Sequence, residues 1–313
     1  MSKIKTVFVA GPTASGKTEL AIKLAKRFDG EIISADSMQI YKGIHIASAA
    51  PDTAEMQGIS HYMLEFLEPC DSFSVAEYVK AARAYIKDIA SRGRLPIVAG
   101  GTGLYINSLA DNISYIEEET DENLRRELEK RFDSVGAEQM LNELKEIDPD
   151  TAERLNLNDK KRIIRAFEVY RLTGRTITEQ NALSKTGEAL IEPCIIGITY
   201  RDRERLYDRI NLRVDKMIAA GLIEEAKAAL ENTAGGAYQA IGHKELEGYI
   251  SGDLTLEEAA ENLKRQTRRY AKRQLTWFRR DERINWIYAD ETDDVAANAA
   301  KIVEKFLRTE ETD

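Results

Sequence analysis

The chain has 313 residues, 43% of them hydrophobic and 32% charged, which is enough apolar material for the cores of one to three soluble domains. No stretch approaches the roughly 18 apolar residues that span a bilayer, so no membrane partner is expected. The net charge of −9 argues against a chain devoted wholly to nucleic acid, but the average conceals clustering: KRQTRRYAKRQLTWFRRDER (264–283) holds nine Lys/Arg and two acids.

MSKIKTVFVAG begins as a secretory leader would, but its apolar run is short and leads straight into a glycine-rich loop. It therefore reads as a first strand, TVFVAG (6–11), and a cytoplasmic location is expected. KTELAIKLAKRF (17–28) has a helical period, and EIISAD (31–36) reads as a second strand ending in Asp36. VAEYVKAARAYIKDIASRG (75–93) is an amphipathic helix with Ser74 as N-cap and Gly93 at its C-terminus, and LPIVAGGT (95–102) is the next strand. Strands alternating with helices imply a parallel sheet covered on its faces.

Near residue 114 the character changes. SYIEEETDENLRRELEKRF reads as a charged helix, and helices and loops continue to about 190. PCIIGITY (193–200) then returns as a buried strand. The expected organisation is a core of residues 1–113 and 191–313 with a helical insertion at 114–190. Helices follow at 203–220, 222–231 and about 256–280, the last opened by a Thr255/Glu258 capping pair. RINWIYAD (283–290) is a last strand and VAANAAKIVEKFL (295–307) a last helix; the acidic tail TEETD is expected to fray. Cys70 and Cys194 form no ligand cluster and are expected to be buried free thiols, and His45, His61 and His243 lack metal-ligand spacing.

GPTASGKT (11–18) fits G-x-x-x-x-G-K-[ST] and lies between a strand and a helix, the context of a diphosphate cradle. Gly11, Pro12, Thr13, Ala14, Ser15 and Gly16 would wrap the phosphates with backbone N–H groups. The following helix adds its positive end, Lys17 a cation, and the Thr18 hydroxyl a ligand for Mg2+. The fold class is therefore α/β, a P-loop NTPase-like parallel sheet with a mainly helical insert. The loop alone reads as ATP- or nucleotide-binding. The later apolar strand, however, ends in Gly-Gly-Thr rather than in the acid of a motor ATPase.

The best-placed carboxylate is Asp36, at the tip of the second strand, facing the same crevice as Lys17 and Thr18. It suits a proton acceptor for an incoming nucleophile, with a metal-water ligand or a turn role as alternatives. Thr102 closes the third strand at the same edge. Arg209 and Arg213, four apart on a helix, suit a phosphate grip. The helix around 158–175 sets Arg162 and Arg165 on one face, and 264–280 interleaves arginines with Tyr270, Trp277 and Phe278, as flexible RNA rewards.

GPTASGKT, SADSMQIYKG, VAGGTGLYINSL, RIIRAFEVYRLTGR, YQAIGHKE and TRRYAKRQLTWFRRD together resemble the tRNA dimethylallyltransferases (isopentenyl-tRNA transferases) of bacterial type, from Gly11 to about Asp281. His243 departs from the tyrosine that many members carry. The resemblance implies transfer of a dimethylallyl group from dimethylallyl diphosphate to N6 of adenosine 37, beside the anticodon. Gly11–Thr18 would grip the diphosphate, Asp36 would take the proton, and Lys17, Thr18-bound Mg2+, Thr102 and Arg213 would stabilise the leaving group. It implies tRNA contacts from Asp36, Ser37, Met38, Gln39, Thr102, Arg125, Lys161, Arg162, Ile163, Ile164 and Arg165. Further contacts are implied for Gln239, Ala240, Ile241, Gly242, His243, Lys244, Thr267, Arg268, Arg269, Lys272, Arg273 and Gln274. A monomer is expected. An adenylate isopentenyltransferase, a small-molecule kinase and a nucleotide-gated RNA-binding module remain as alternatives.

Overall fold

The structure, a computed structural model, describes residues 3–115, 121–187, 189–231 and 236–309. The chain divides into two compact units, Met1–Ala110 with Ala189–Asp313, and Asp111–Glu188.

In the first unit β1 (Ile4–Ala10), α1 (Lys17–Arg27), β2 (Gly30–Ser34), α2 (His45–Ser48), α3 (Thr53–Met56), β3 (His61–Tyr62), α4 (Val75–Ser91), β4 (Leu95–Gly100) and α5 (Gly103–Ala110) follow in order. The second unit holds α6 (Glu122–Ile147), α7 (Pro149–Arg154), α8 (Lys160–Thr173) and α9 (Ile177–Ser184). The first then resumes with β5 (Ile191–Thr199), α10 (Arg203–Ala219), α11 (Leu222–Leu230), a 3-10 turn at Ala237–Gln239, α12 (His243–Ile250), α13 (Leu256–Phe278), β6 (Asn285–Tyr288) and α14 (Val295–Arg308).

The sheet is parallel throughout, in the order β3-β2-β4-β1-β5-β6. β1 is central because its residues Val7 to Ala10 are apolar without interruption, and all four are fully buried. Val7 pairs with Ile97 of β4 and Cys194 of β5. Leu20, Ala21, Leu24 and Ala25 of α1 and Ala299, Ala300 and Val303 of α14 cover one face. Because every strand runs the same way, the carboxyl ends of β1, β2 and β4 stand together at one edge. The loops that follow them carry Gly11–Thr18, Asp36 and Thr102.

Local chemistry fixes these ends. Ser74 caps α4 in a reciprocal box with Glu77, and Tyr78 on the next turn is fully buried, donating its hydroxyl to Ser34 O at 3.0 Å. That bond, worth about 1 kcal/mol, ties the end of β2 two residues before Asp36. At the other end of β2, Glu31 accepts from Arg92, Arg94 and Tyr62. Thr255 and Glu258 form the expected box at the start of α13.

In the second unit Leu128, Met140, Leu144, Ile163, Ile164, Ala166 and Phe167 make a core of their own. α6 starts at Glu122, later than the sequence pattern implied; residues 116–120 of that expected helix lie outside the described residues, as do 310–313 of the acidic tail. Gly136 (φ 84°) breaks α6 into two segments. The two-residue β3 and the short helices α2, α3, α7 and α9 were not anticipated. Cys194 is buried and burial raises its thiol to about 11, whereas Cys70 is exposed, contrary to expectation, in the loop before α4.

Candidate active site

The Gly11–Thr18 loop links β1 to α1. Gly16 sits at φ 95° as the N-cap of α1 with no side chain capping the helix, so the positive end of the dipole is offered to a ligand. A Cβ on Gly11 would lie 2.5 Å from Ile198 O, which is why the loop can pass so close to β5. Two distant side chains hold the loop from outside. Gln274 accepts from Thr13 N at 2.9 Å, and Arg209 Nε donates to Ala14 O at 2.9 Å. Arg209 is thus spent on the loop backbone, and of the Arg209/Arg213 pair on α10 it is Arg213 that lines the cavity beside Lys17. Ser15 Oγ is buried with no protein partner.

Lys17 folds back over the loop, with Nζ 3.4 Å from Pro12 O. Burial lowers its ammonium to about 8, helped by the Arg213 cation and opposed by Asp36. Arg213 is also lowered by burial, again opposed by Asp36. Two cations confined with one carboxylate leave an excess of positive charge at the loop, the electrostatics of an anion site.

Asp36 follows β2. Its Oδ1 accepts Met38 N at 3.0 Å, which aims the carboxylate back across the turn. Thr102 Oγ1 accepts Ser37 N at 3.0 Å and donates to Ser37 Oγ at 3.3 Å, while Thr102 N donates to Ala35 O at 3.0 Å. The ends of β2 and β4 can approach this closely because Gly100 has no side chain: a Cβ there would sit 2.1 Å from Ala35 O. Gln39 is held internally, by Ser34 Oγ at 2.8 Å and by donation to Ala49 O at 3.0 Å.

A cavity of about 190 Å³ joins these parts; its wall includes Thr13, Lys17, Thr18, Asp36, Arg213 and Tyr270. Ala47, Met217 and Ile241 give it an apolar section. Burial and the Asp36 charge raise the Tyr270 phenol, so it stays neutral. A shallower groove of about 650 Å³ reaches Lys17, Thr18, Arg213 and Met217 from another side. Among the described residues no group of three or more His, Cys, Asp or Glu could hold a metal unaided. A divalent ion fits here only with oxygens from a bound diphosphate completing its shell beside the Thr18 hydroxyl.

Of the residues expected to touch RNA, Asp36–Gln39, Thr102, Arg165, Ile241 and Arg268 are half-buried. Arg125, Lys161, Arg162, Gln239, Lys244, Arg269, Lys272 and Arg273 are exposed. Lys244 Nζ donates to Gln239 Oε1 at 2.7 Å, and Arg268 donates to Asn211 at 2.7 Å. Arg125 and Arg165 both donate to the buried Glu168, at 3.0 and 2.9 Å. In contrast Ile163, Ile164, Ala240, Gly242, His243, Thr267 and Gln274 are buried, so their side chains set the shape of the fold and do not form an outer face. His243 Nε2 lies 3.3 Å from Glu225, whose carboxylate accepts Ile46 N and Ala47 N at 2.8 Å. That pairing anchors α2, part of the cavity wall, through His243 Nε2, while His243 Nδ1 is buried with no protein partner. Tyr270 was read in the sequence only as an aromatic among the arginines of 264–280, not as a residue of the cavity, and Glu225 went unnoticed. Thr267, Tyr270 and Gln274 share a helical face, a spacing that could have marked Tyr270, whereas nothing local marks Glu225.

Comparison with known proteins gives a consistent result. The IPP transferase family model matches residues 39–281, and the Isopentenyl transferase model matches residues 4–68. A protein of Acetivibrio thermocellus named tRNA dimethylallyltransferase is 50% identical over 288 residues, 91% of this chain and 92% of its own length. The crystal structure of tRNA delta(2)-isopentenylpyrophosphate transferase from Staphylococcus epidermidis is 40% identical, with TM-score 0.70, covering 97% of this chain and 100% of that one. A eukaryotic dimethylallyltransferase acting on tRNA is 28% identical, with TM-score 0.82, covering 98% of this chain and 80% of its own.

Proposed function

This chain belongs to the IPP transferase family, and from that premise we propose that it transfers a dimethylallyl group from dimethylallyl diphosphate to N6 of adenosine 37 in tRNA. The observation that carries the reading is the single cavity in which a diphosphate loop, a carboxylate and an apolar wall of Ala47, Met217 and Ile241 meet. A prenyl diphosphate has those two halves, a charged leaving group and a hydrocarbon chain. The enzyme acts as a monomer in the cytoplasm.

In this reading the amides of Gly11–Thr18, Lys17 and Arg213 hold the diphosphate, and Thr18 would hold Mg2+. The ion, when bound, supplies charge neutralisation for the leaving group. The adenine N6 lone pair forms a bond to the allylic carbon as the C–O bond breaks, with diphosphate leaving and the N6 proton passing to Asp36. Lys17 and Arg213 are already confined at the loop before negative charge develops there, so little reorganisation accompanies the step. Thr102 keeps the Asp36–Ser37 turn in place through Ser37. The target adenine reaches Asp36 only if extruded from the RNA stack. The residues of 161–165, 239–244 and 267–274 that remain exposed supply tRNA contacts, as does Arg125.

The test is prenyl transfer by the purified protein, with dimethylallyl diphosphate and Mg2+, to an unmodified anticodon stem-loop bearing A36-A37-A38. Modified stem-loop is the expected product. Transfer to free AMP and not to the stem-loop would assign the adenylate reaction, and phosphate release from ATP at a comparable rate would assign a kinase.

A further inference from the structure

We infer that Trp277 is a stacking platform for a nucleobase that adjoins the target adenine, at the rim of the site. This deepens the RNA-modifying reading above and rests on it. The indole belongs to α13 and packs directly on α5: a Cβ on Gly103 would lie 2.2 Å from Trp277 Cδ1 and 2.6 Å from Nε1. Gly103 is the residue after Thr102, whose hydroxyl holds Ser37 beside Asp36. The ring is therefore placed by the same turn that places the carboxylate.

Despite that packing, Trp277 remains 36% exposed, and Leu104 on the adjoining turn is 44% exposed. An indole and a leucine left open at the surface have an unsatisfied apolar face. The surrounding charge selects its occupant. From Asn262 to Arg280 there is no acidic residue. Among the described residues none of Arg269, Lys272, Arg273, Arg279 and Arg280 forms an ion pair, whereas Arg92, Arg131, Arg171 and Arg201 elsewhere all do. Arg273 lies one turn before Trp277 on α13, and Arg279 and Arg280 follow it in the turn that ends the helix. Unneutralised cations around an open aromatic face fit a polyanion that carries planar rings, which is single-stranded RNA.

When the target adenine leaves its stack, a base next to it in the loop loses a neighbour, and Trp277 supplies a replacement face. The indole does not touch the reacting atoms and acts by fixing the register of the loop.

Trp277 and Trp286 are the two tryptophans of the chain, and Trp286 lies in β6 against Gly197, so fluorescence can isolate the indole of interest. In a W286F protein, titration with the stem-loop should quench the remaining emission. An abasic residue on one side of the target adenosine should abolish the quench, while anisotropy of the labelled RNA still reports binding. W277A should weaken stem-loop binding roughly tenfold and W277F much less. If W286F does not fold, the difference between the native protein and W277F isolates the same signal. Unchanged emission on binding, a quench that survives abasic substitution on either side, or native affinity in W277A would overturn the inference and leave the RNA reading standing. Failure of every variant, native included, to bind the stem-loop overturns both. A fall in sedimentation coefficient on W277A substitution without RNA would instead assign the indole to a contact between copies.

Discussion

Gln274 accepts the backbone N–H of Thr13 at 2.9 Å and, with the other end of the same amide, donates to Gly101 O at 2.9 Å. One buried side chain on α13 thereby joins the phosphate loop after β1 to the turn after β4. A Cβ on Gly101 would fall 2.3 Å from Gln274 Nε2, so the tie also requires a glycine there.

Gln274→Leu should leave a buried donor and a buried acceptor unmatched, costing about 1–3 kcal/mol each if water does not enter. Urea denaturation should show that loss, and calorimetry should show weaker binding of inorganic pyrophosphate because the loop is no longer held. Gln274→Glu keeps the acceptor for Thr13 and should recover part of the pyrophosphate affinity. Equal affinity in native protein and Gln274→Leu would show that the loop needs no such support.

Asp36 is best tested by asparagine, because alanine would also remove the acceptor for Met38 N. Asp36→Asn retains that turn and deletes the base. Turnover should fall by roughly 10²- to 10⁴-fold, the usual contribution of a positioned proton acceptor, with stem-loop affinity little changed. Single-turnover rates within about threefold of native would remove Asp36 from the chemistry.

Much of this site was legible in the sequence because a parallel sheet brings its carboxyl ends to one edge. Once TVFVAG, EIISAD and LPIVAGGT were read as such strands, Lys17, Asp36 and Thr102 had to be neighbours. Gln274 was not legible in that way. Its partners lie 261 and 173 residues away, and the resemblance marked it only as one of a run of implied tRNA contacts. His243 is a related case: the resemblance implied a tRNA contact there, while the partner that the fold gives it, Glu225, comes from another helix. The same limit applies to Arg209, whose spacing from Arg213 implied a phosphate clamp while only the fold reveals Ala14 O beside it. Around α8 the helical period, which is local information, set Arg162 and Arg165 on one face; of the apolar residues Ile164, Phe167, Val169 and Leu172, the first three are buried and Leu172 only half-buried.

Glu31 gives the fold a defined acid sensitivity. The Arg92 guanidinium, then Tyr62 and Arg94, hold its carboxyl at about 2 against an ordinary 4.5, and burial opposes them. Since the folded value is the lower one, this stabilisation is fully present above about 4.5 and is lost as pH falls towards 2. Glu31→Gln should lower stability at pH 7 by about 2 kcal/mol, the partners being partly solvent-screened. The gap between native and variant should narrow as pH is reduced from 5 to 3. Urea midpoints that stay equally separated across that range would count against the assignment.

Arg162 and Arg165 share a helix face yet should respond differently to alanine substitution. Arg162 is 69% exposed and makes one 3.3 Å contact with Asp159, so its removal should leave stability within about 0.5 kcal/mol of native. Stem-loop binding by Arg162→Ala should weaken, and the slope of log affinity against log salt should fall by about one, as expected for one lost phosphate contact. Arg165 donates to Glu168, which is 1% exposed and shares its Oε2 with Arg125. Arg165→Ala should therefore destabilise Asp111–Glu188 by about 1–3 kcal/mol whatever it does to RNA binding. Pairing denaturation with salt titration separates the roles. A salt slope unchanged in Arg162→Ala would exclude that side chain from the RNA interface, and native stability in Arg165→Ala would mean that Arg125 alone satisfies the buried carboxylate.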